Sequence, residues 1–530
     1  MPTDCISYQK SGYFTKLMVD YLAEKSELKS LYNRFPKLEN FKEQLAEKAK
    51  NYKQENRQVL GTALENQYKG FLISEAASNN ITLLNQTNTF TITTGHQLNL
   101  FTGPLYFLYK IVSTINLCET LKKEYPEYNF VPIYWMATED HDFEEINHFY
   151  FKNVKINWKQ ESHGPVGRLS TAGLADVLEV FASELGIGEN ASYLKDLFEN
   201  SYLKHNNLAD ATRFLANELF GDKGLVILDG DDATLKQLFI PFVKEELIHK
   251  TSFQKVSETN SLLKNDYEIQ VNPREINLFY IEDNLRERIV FEDNQFRINN
   301  TKVAFSEKEI LEIFDKNPEK FSPNVILRPL YEEIVLPNLC YIGGGGEIAY
   351  WLQLKAAFEA NKVTFPILLV RNSVLLTTEK QIKKADKLNL SWEDLFANQQ
   401  ELFTKKTKEF SKFNINFSEQ KKFLKLQFEK LIEIANQTDK SFIGAVNAQQ
   451  TKQIKGLENL EKRLLKAEKR VHAEKLERII ELQNELFPNQ GLQERKANFS
   501  EFYLDADCKF IEKLFQELKP LEPNFTIITL

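Results

Sequence analysis

Cysteine is scarce in this chain: there are four in 530 residues, Cys5, Cys118, Cys340 and Cys508, and none stands in a CxxC spacing. Scattered single cysteines point away from a zinc knuckle and toward a reducing cytoplasm, and each reads most simply as a small buried apolar residue. Long apolar runs are also missing. The longest, such as Ile367 to Val370, are far too short to cross a membrane, so no membrane partner is expected. The opening MPTDCISYQKSGYF lacks a basic segment followed by an apolar one, so no signal peptide is expected. There is no excess of positive charge. The formal net charge is -8, whereas a protein that tracks phosphate backbones shows a basic face, so nothing calls for nucleic acid. GxxxxGK[ST] is absent, which excludes a P-loop, and HExxH is absent as well.

What the chain does hold is material for a core. It is 42% hydrophobic and contains 40 Phe, and its length predicts a large core plus at least one separate module. Residues 12 to 78 read as helical, with Leu17, Tyr21, Leu22 and Leu28 at helical spacing. From about 88 to 372, short β-rich runs alternate with amphipathic helices. The candidate strands are Thr89 to Thr93, Val131 to Met136, Leu225 to Leu228 and Phe365 to Val370. Candidate helices are Pro104 to Lys123 and Glu347 to Ala360. This alternation predicts an α/β fold with a largely parallel, Rossmann-like sheet. Stretches of about 150–222 and 240–325 read as insertions within a core of residues 1–373.

Beyond 374 glycine and proline almost vanish. Leu424, Phe428, Leu431 and Ala435, then Leu457, Leu460, Leu464, Ala467 and Val471, return at three and four, which predicts an antiparallel helical coiled-coil hairpin joined near Asn436–Lys440, within a domain of 374–487. Proline at Phe487-Pro488-Asn489 ends the second helix. Residues 488–530 read as a loop, a helix and a short final strand, Thr526 to Leu530, returning to the core.

Three clusters sit at strand-to-helix junctions, where ligands bind in open α/β sheets. The first runs from Thr93 to Pro104. Gly95 and Gly103 let the backbone approach a ligand, Pro104 suits a first helical turn, and amides there favour a phosphate or carboxylate. His96 is a candidate anion donor or acid–base group. The plain alternative is a Gly-Pro helix start with a surface histidine. The second runs from Trp135 to His148. If Asp142 onward is helical, His141, Glu145 and His148 share roughly one face, a set suited to a divalent metal or to acid–base work, with magnesium on phosphate as another choice. The plain alternative is an acidic helix N-terminus. The third runs from Leu339 to Trp351, where Gly343, Gly344, Gly345 and Gly346 form a loop able to cradle an anion or simply a tight turn. Gly344 to Ala349 fits GxGxxA, but Arg371 stands where a dinucleotide site needs an acidic residue, so neither NAD nor flavin is expected. Arg328 and Arg371 are candidate carboxylate binders. If the stretches near 95, 140 and 345 meet, they wall one pocket for a small anionic or phosphorylated ligand.

The segments TTGHQLNLFTGPLYFLYK, PIYWMATEDHDFEEINH, RPLYEEIVLPNLCYIGGGGEIAYWLQLK and FPNQGLQERKANFSEFY resemble, in the same order over nearly the whole chain, the cysteine-adding enzymes of bacillithiol biosynthesis, the cysteine ligase family BshC. The WxAxEDHDxxEI and GGxGEIAYW blocks are the specific ones. His96 stands where many relatives carry Gln. The resemblance implies a Rossmann-like core with connecting-peptide insertions, similar to that of class I aminoacyl-tRNA synthetases and nucleotidyltransferases. It also implies a coiled-coil domain and homodimers assembled through that coil. The implied reaction joins the carboxyl group of L-cysteine to the amine of glucosaminyl-malate, with ATP or ADP suspected and magnesium possible. On that reading Asp140, His141, Asp142 and His148, with His96, are the catalytic candidates. Gly95, Gln97, Asn99, Thr102, Gly103, Arg328, Gly343 to Gly346, Glu347, Tyr350 and Arg371 are the substrate-binding ones. Gln493, Glu494, Arg495, Asn498 and Tyr503 are implied as a nucleotide site. The alternatives are a synthetase-like enzyme with another substrate and an inactive coiled-coil scaffold.

Overall fold

The run Thr89-Phe90-Thr91-Ile92-Thr93-Thr94 is built from β-branched and aromatic residues, which favour extended backbone. In a computed structural model, which describes residues 4–438, 440–506 and 508–530, it forms the middle strand of a five-stranded sheet. The strands are β1 (Thr89–His96), β2 (Asn129–Met136), β3 (Val226–Asp229), β4 (Asn338–Gly343) and β5 (Ile367–Val370). Their order is β5-β4-β1-β2-β3, and every pairing is parallel. The strands are almost wholly buried, as parallel sheets are. The chain steps outward from β1 to β2 and β3, then jumps back to the other side of β1 for β4 and β5. The order therefore reverses between β1 and β4. Such a reversal opens a crevice at the carboxyl ends of the two strands.

Three helices border that crevice: α1 (Tyr106–Glu124), α2 (Arg328–Val335) and α3 (Gly345–Trp351). The stretch from Glu347 to Ala360, expected as one helix, is two: α3 and a separate helix Lys355–Ala360. The break buries Gln353, whose side-chain oxygen accepts from the amides of Gln270 and Val271, both at 3.1 Å. The insertions carry more structure than their sequence announced. The first holds a hairpin, His148–Phe151 with Val154–Asn157, and three helices. The second contributes a five-stranded antiparallel sheet over residues 278–323.

The chain divides into two compact units, Met1–Leu376 with Leu492–Leu530, and Thr377–Gly491. In the first, the C-terminal strand Asn524–Thr529 pairs antiparallel with Asp4–Ser7. In the second, α4 (Ser418–Ala435) and α5 (Lys440–Val471) pair as a hairpin. Lys421 meets Glu461 at 2.6 Å and Phe428 clusters with Val446, so the two helices run in opposite directions. The junction expected near Asn436–Lys440 includes Asp439, which lies outside the described residues, as do Met1 to Thr3 of the opening segment. A further helix, α6 (Ala473–Leu486), ends just before Pro488. Among the described residues no helix is long and apolar enough to cross a membrane.

A buried polar chain ties the N-terminal helices to the sheet centre. Lys48, in the helix Asn40–Asn51, lies 2.7 Å from the Glu333 carboxylate on α2, and both side chains are almost fully buried. Asn338 of β4 donates to the other Glu333 oxygen at 2.6 Å and accepts from Thr93 of β1 at 3.0 Å. Replacing Lys48 by Met would leave the Glu333 carboxylate buried without its cation. The expected loss is about 3–5 kcal/mol in urea unfolding. Lys48→Met/Glu333→Gln, which keeps the Asn338 bond, should recover part of it. An unchanged midpoint in the single variant would show that this chain of contacts anchors nothing.

Candidate functional site

The carboxyl ends of β1 and β4 open into a cavity of about 620 Å³ lined by residues from all three sequence clusters: Gly95, His96 and Gln97 after β1, Ala137 and Asp140 after β2, and Gly344 to Glu347 after β4. Arg328 and Glu332 from α2, Tyr106 and Lys110 from α1, and Tyr350, Arg371 and Arg495 complete the wall. The expected meeting of the stretches near 95, 140 and 345 is therefore what the topology produces.

The turn after β1 is held in an uncommon shape. Phe101, Thr102 and Gly103 all have positive φ, at 47°, 68° and 63°. The first two are unusual for residues with side chains, and at Gly103 a Cβ would come within 2.6 Å of the Asn99 Cβ. Asn498 fixes this turn by donating to the carbonyls of Phe101 and Gly103 at 2.7 and 2.6 Å. Asn99, Thr102 and Gly103 thus shape the turn without lining the cavity; Asn99 Oδ1 and Thr102 Oγ1 are buried with no hydrogen-bond partner. His96 does line it, packed between the rings of Tyr106 and Phe107. Burial, with the charges of Lys110 and Arg371, lowers its pKa far below the usual value. This favours the neutral imidazole, which can still donate one N–H, and its Nε2 has no hydrogen-bond partner.

The glycine loop after β4 holds an anion of its own. The Glu347 carboxylate accepts from the Gly344 amide at 2.8 Å and from the Tyr341 hydroxyl at 2.8 Å, and lies 2.6 Å from Lys110 Nζ. Lys110 also donates to the Gly95 carbonyl at 2.7 Å, so this one lysine joins the first and third clusters. Gly343 is strand backbone, too close to Tyr341 and Glu347 for a side chain, and does not line the cavity. Gly345 and Gly346 lie in the first turn of α3, where amides have no acceptor inside the helix.

In the second cluster Trp135, Ala137 and Asp140 reach the cavity, and Asp140 is the ionisable one among them. It accepts from the His141 amide at 2.8 Å and from the Gln97 side chain at 3.2 Å, with Arg286 at 3.9 Å. Burial opposes its ionisation, but the hydrogen bond with His141, the charges of Arg328 and Arg286 and the Gln97 amide outweigh it. Its carboxyl is held far below the usual range. The expected helix from Asp142 to His148 is a single turn, Phe143–Ile146, so His141, Glu145 and His148 do not share a face. His148 instead opens a strand, beside the Asn147 side chain at 3.0 Å. His141 is half-exposed, with Nδ1 2.6 Å from Arg286 Nη1, and Asp142 is exposed; neither lines the cavity. Among the described residues, no group of three or more His, Cys, Asp or Glu is placed to hold a metal ion.

The C-terminal set divides. Glu494 grips Arg371 through two parallel bonds, at 2.8 and 3.0 Å, and both are buried, so the Arg371 charge is already answered. Gln493 accepts from the Leu376 amide and donates to its carbonyl, at 2.9 and 3.0 Å. Asn498 holds the 101–103 turn, and Tyr503 stacks on Tyr193 with centroids 4.9 Å apart. Four of the five residues implied for a nucleotide are thus packed into structure; Arg495 alone is exposed and lines the cavity. Arg328 has no ion pair or hydrogen bond from its guanidinium among the described residues, which leaves Arg328 and Arg495 as the cations open to a ligand.

Tyr106, Lys110 and Glu332 escaped the sequence reading. Tyr106 and Lys110 are four apart on α1, and so are Arg328 and Glu332 on α2. That spacing puts each pair on one helix face, and it was present in the quoted segments.

Residues 1–372 match the family model described as "Bacillithiol biosynthesis BshC, N-terminal Rossmann-like domain", and residues 374–530 match "Bacillithiol biosynthesis BshC, C-terminal coiled-coil domain". Relatives from Flavobacterium johnsoniae, Flavobacterium psychrophilum and Christiangramia forsetii each carry the name "Putative cysteine ligase BshC". The first is 64% identical over 530 residues, covering 100% of both chains. The second is 65% identical over 529 residues, covering 100% of this chain and 99% of that one. The third is 54% identical over 537 residues, with the same two coverages of 100% and 99%. With a Rossmann-like sheet, a coiled-coil unit and both family models matched along its length, this chain belongs to the BshC family of bacillithiol biosynthesis.

Proposed function

We propose that this protein is a cytoplasmic ligase that joins the carboxyl group of L-cysteine to the amine of glucosaminyl-malate, the last step of bacillithiol biosynthesis. The observation that carries the reading is the cavity at the β1–β4 reversal, where an ionised carboxylate, two uncommitted guanidinium groups and open backbone amides face one another in a member of this family. A carboxylate does not acylate an amine at neutral pH without activation. ATP, when bound, supplies the phosphate leaving group that makes the cysteine carboxyl an acylating agent.

The residues fit anions of this kind. Arg328 and Arg495 can each take a phosphate or a malate carboxylate through paired donors, and the amides of Gly345 and Gly346 add donors with no side chain in the way. Arg371 is excluded from that task by Glu494 and serves to hold the wall. Asp140, firmly ionised, accepts a hydrogen bond from the sugar amine and positions it. Gln97 keeps Asp140 aimed, bonding Glu145 at 2.9 Å with the same amide nitrogen. Magnesium, where required, is brought by the phosphates.

Purified protein incubated with glucosaminyl-malate, cysteine and ATP–magnesium should yield a product of the condensed mass in mass spectrometry, together with AMP or ADP. Absence of that product in the complete mixture would sink the reading. Arg328→Ala should raise KM for the anionic substrate about 10–100-fold, the weight of a charge-assisted pair, with an unchanged melting temperature; unaltered kinetics would remove Arg328 from the site.

The coil is proposed to pair two copies. Phe423, Ile434, Leu460 and Val471 on α4 and α5 expose 66%, 56%, 52% and 72% of their surface, more apolar area than a lone hairpin leaves to water without reason. Light scattering should give twice the chain mass, and Ile434→Glu/Leu460→Glu should give the chain mass. A monomeric wild-type protein would refute the pairing.

A further inference from the structure

We infer that Glu332 is the catalytic proton acceptor for the attacking amine, a role that rests on the amide-forming reading above and deepens it. Glu332 sits on α2, one turn beyond Arg328, and forms part of the cavity wall. It is only 3% exposed, and its Oε1 has no hydrogen-bond partner. Other carboxylates around it have a cation beside them: buried Glu333 has Lys48, buried Glu494 has Arg371, buried Glu139 has Lys236 at 2.7 Å, and part-buried Glu347 has Lys110. A buried carboxyl oxygen left unpaired costs roughly 1–3 kcal/mol or more, and such an oxygen in a cavity wall is one that awaits a proton donor.

The two carboxylates of the cavity differ in what they can do. Asp140 is too acidic to take a proton well, since general bases work best when their pKa lies near the operating pH. Glu332 is pushed the other way. Burial raises its pKa well above the usual value, the negative charges of Glu333 and Glu347 add to this, and Arg328 and Lys110 oppose it. The groups facing it are Arg328 and Glu333 from its own helix, Lys110 from α1, Tyr341 from β4, and Glu347 and Tyr350 from α3.

In the step assigned, the neutral amine nitrogen attacks the acyl carbon of the cysteinyl–phosphate anhydride formed with the nucleoside triphosphate. The N–C bond forms, the C–O bond to phosphate breaks with its electron pair leaving on the phosphate, and one nitrogen proton passes to the Glu332 carboxylate. The acid then releases that proton to solvent through the cavity.

The test is the pH dependence of kcat in wild-type protein, Glu332→Gln and Glu332→Asp, with glucosaminyl-malate as the amine and thermal melts to check folding. A base must be ionised, so activity falls as pH drops through its pKa, and a raised pKa moves that acidic limb above the ordinary carboxylate value of about 4.3. The limb belongs to wild type and to Glu332→Asp. Glu332→Gln should lose it and lose kcat about 10²–10⁴-fold, the usual weight of general-base catalysis, with KM changed less than about threefold, whereas a merely structural role would move KM and the melt. Should Glu332→Gln not fold, a wild-type limb at the ordinary carboxylate value, or none, overturns the assignment, as does a folded Glu332→Gln with wild-type kcat and limb. An inactive wild-type protein overturns the amide-forming reading itself, and this one with it.

Discussion

Everything at this site depends on one pairing, that of β1 with β4 in parallel register. Tyr341 lies opposite Thr93, and Cys340 opposite Ile92. Because both strands point the same way, both end at the same edge, and because the chain leaves β1 toward β2 but reaches β4 from the far side of the sheet, their connections diverge there. Residues almost 250 positions apart in the chain come face to face as a result. Thr94 Oγ1 donates to the Ile342 carbonyl at 2.8 Å, and Lys110 then spans from the Gly95 carbonyl to Glu347 just beyond that pairing.

Around the crevice the chain places buried charges in pairs, and that choice has a physical consequence. Arg371–Glu494 and Lys48–Glu333 each remove two ions from water, and Lys110–Glu347 removes its lysine fully and its carboxylate in part, a step whose desolvation rivals the attraction gained. Such pairs add little net stability over an apolar alternative, but each is strongly unfavourable when only half of it is present. They therefore enforce one arrangement. Arg371–Glu494 brings residues 493–498 back against the sheet, which in turn seats Asn498 on the strained 101–103 turn. The local strain of three successive positive φ values is held by contacts from distant chain segments, as strain at functional sites commonly is.

This arrangement explains what could be read from the sequence. Four of the five sheet strands announce themselves through short runs of β-branched, aromatic and aliphatic residues, and the coil through its spacing of three and four, because both signals are local. The crevice was also legible, since glycines and ionisable groups cluster at strand ends. What local pattern could not supply was the partner of each charge. Arg371 reads as an open anion binder until Glu494, more than a hundred residues later, is seen to occupy it. Gly343 to Gly346 read as a cradle for a ligand, yet Glu347 fills part of it from the next turn. The acidic run after β2 reads as a helix with a histidine face, but it stops after one turn because Asn147 and His148 enter a hairpin, and Trp158 anchors that hairpin by bonding the Asn147 carbonyl at 2.7 Å.

The same accounting of partners separates the groups that build the cavity from those that remain open within it. Once Arg371, Lys110, Glu347 and Glu494 are paired with one another, the wall retains Arg328, Arg495, Asp140 and Glu332 as charges answerable to a ligand. Their environments divide them further. Asp140 is surrounded by donors and cations and stays ionised. Glu332 is buried beside two other acids, whose effect Arg328 and Lys110 only partly oppose, and its pKa is raised. Two carboxyl groups driven apart in acidity within one cavity are suited to different tasks, one to hold a cationic or hydrogen-bonding group and the other to exchange a proton. That division follows from burial and neighbours, both set by the strand order, rather than from any property of Asp or Glu alone.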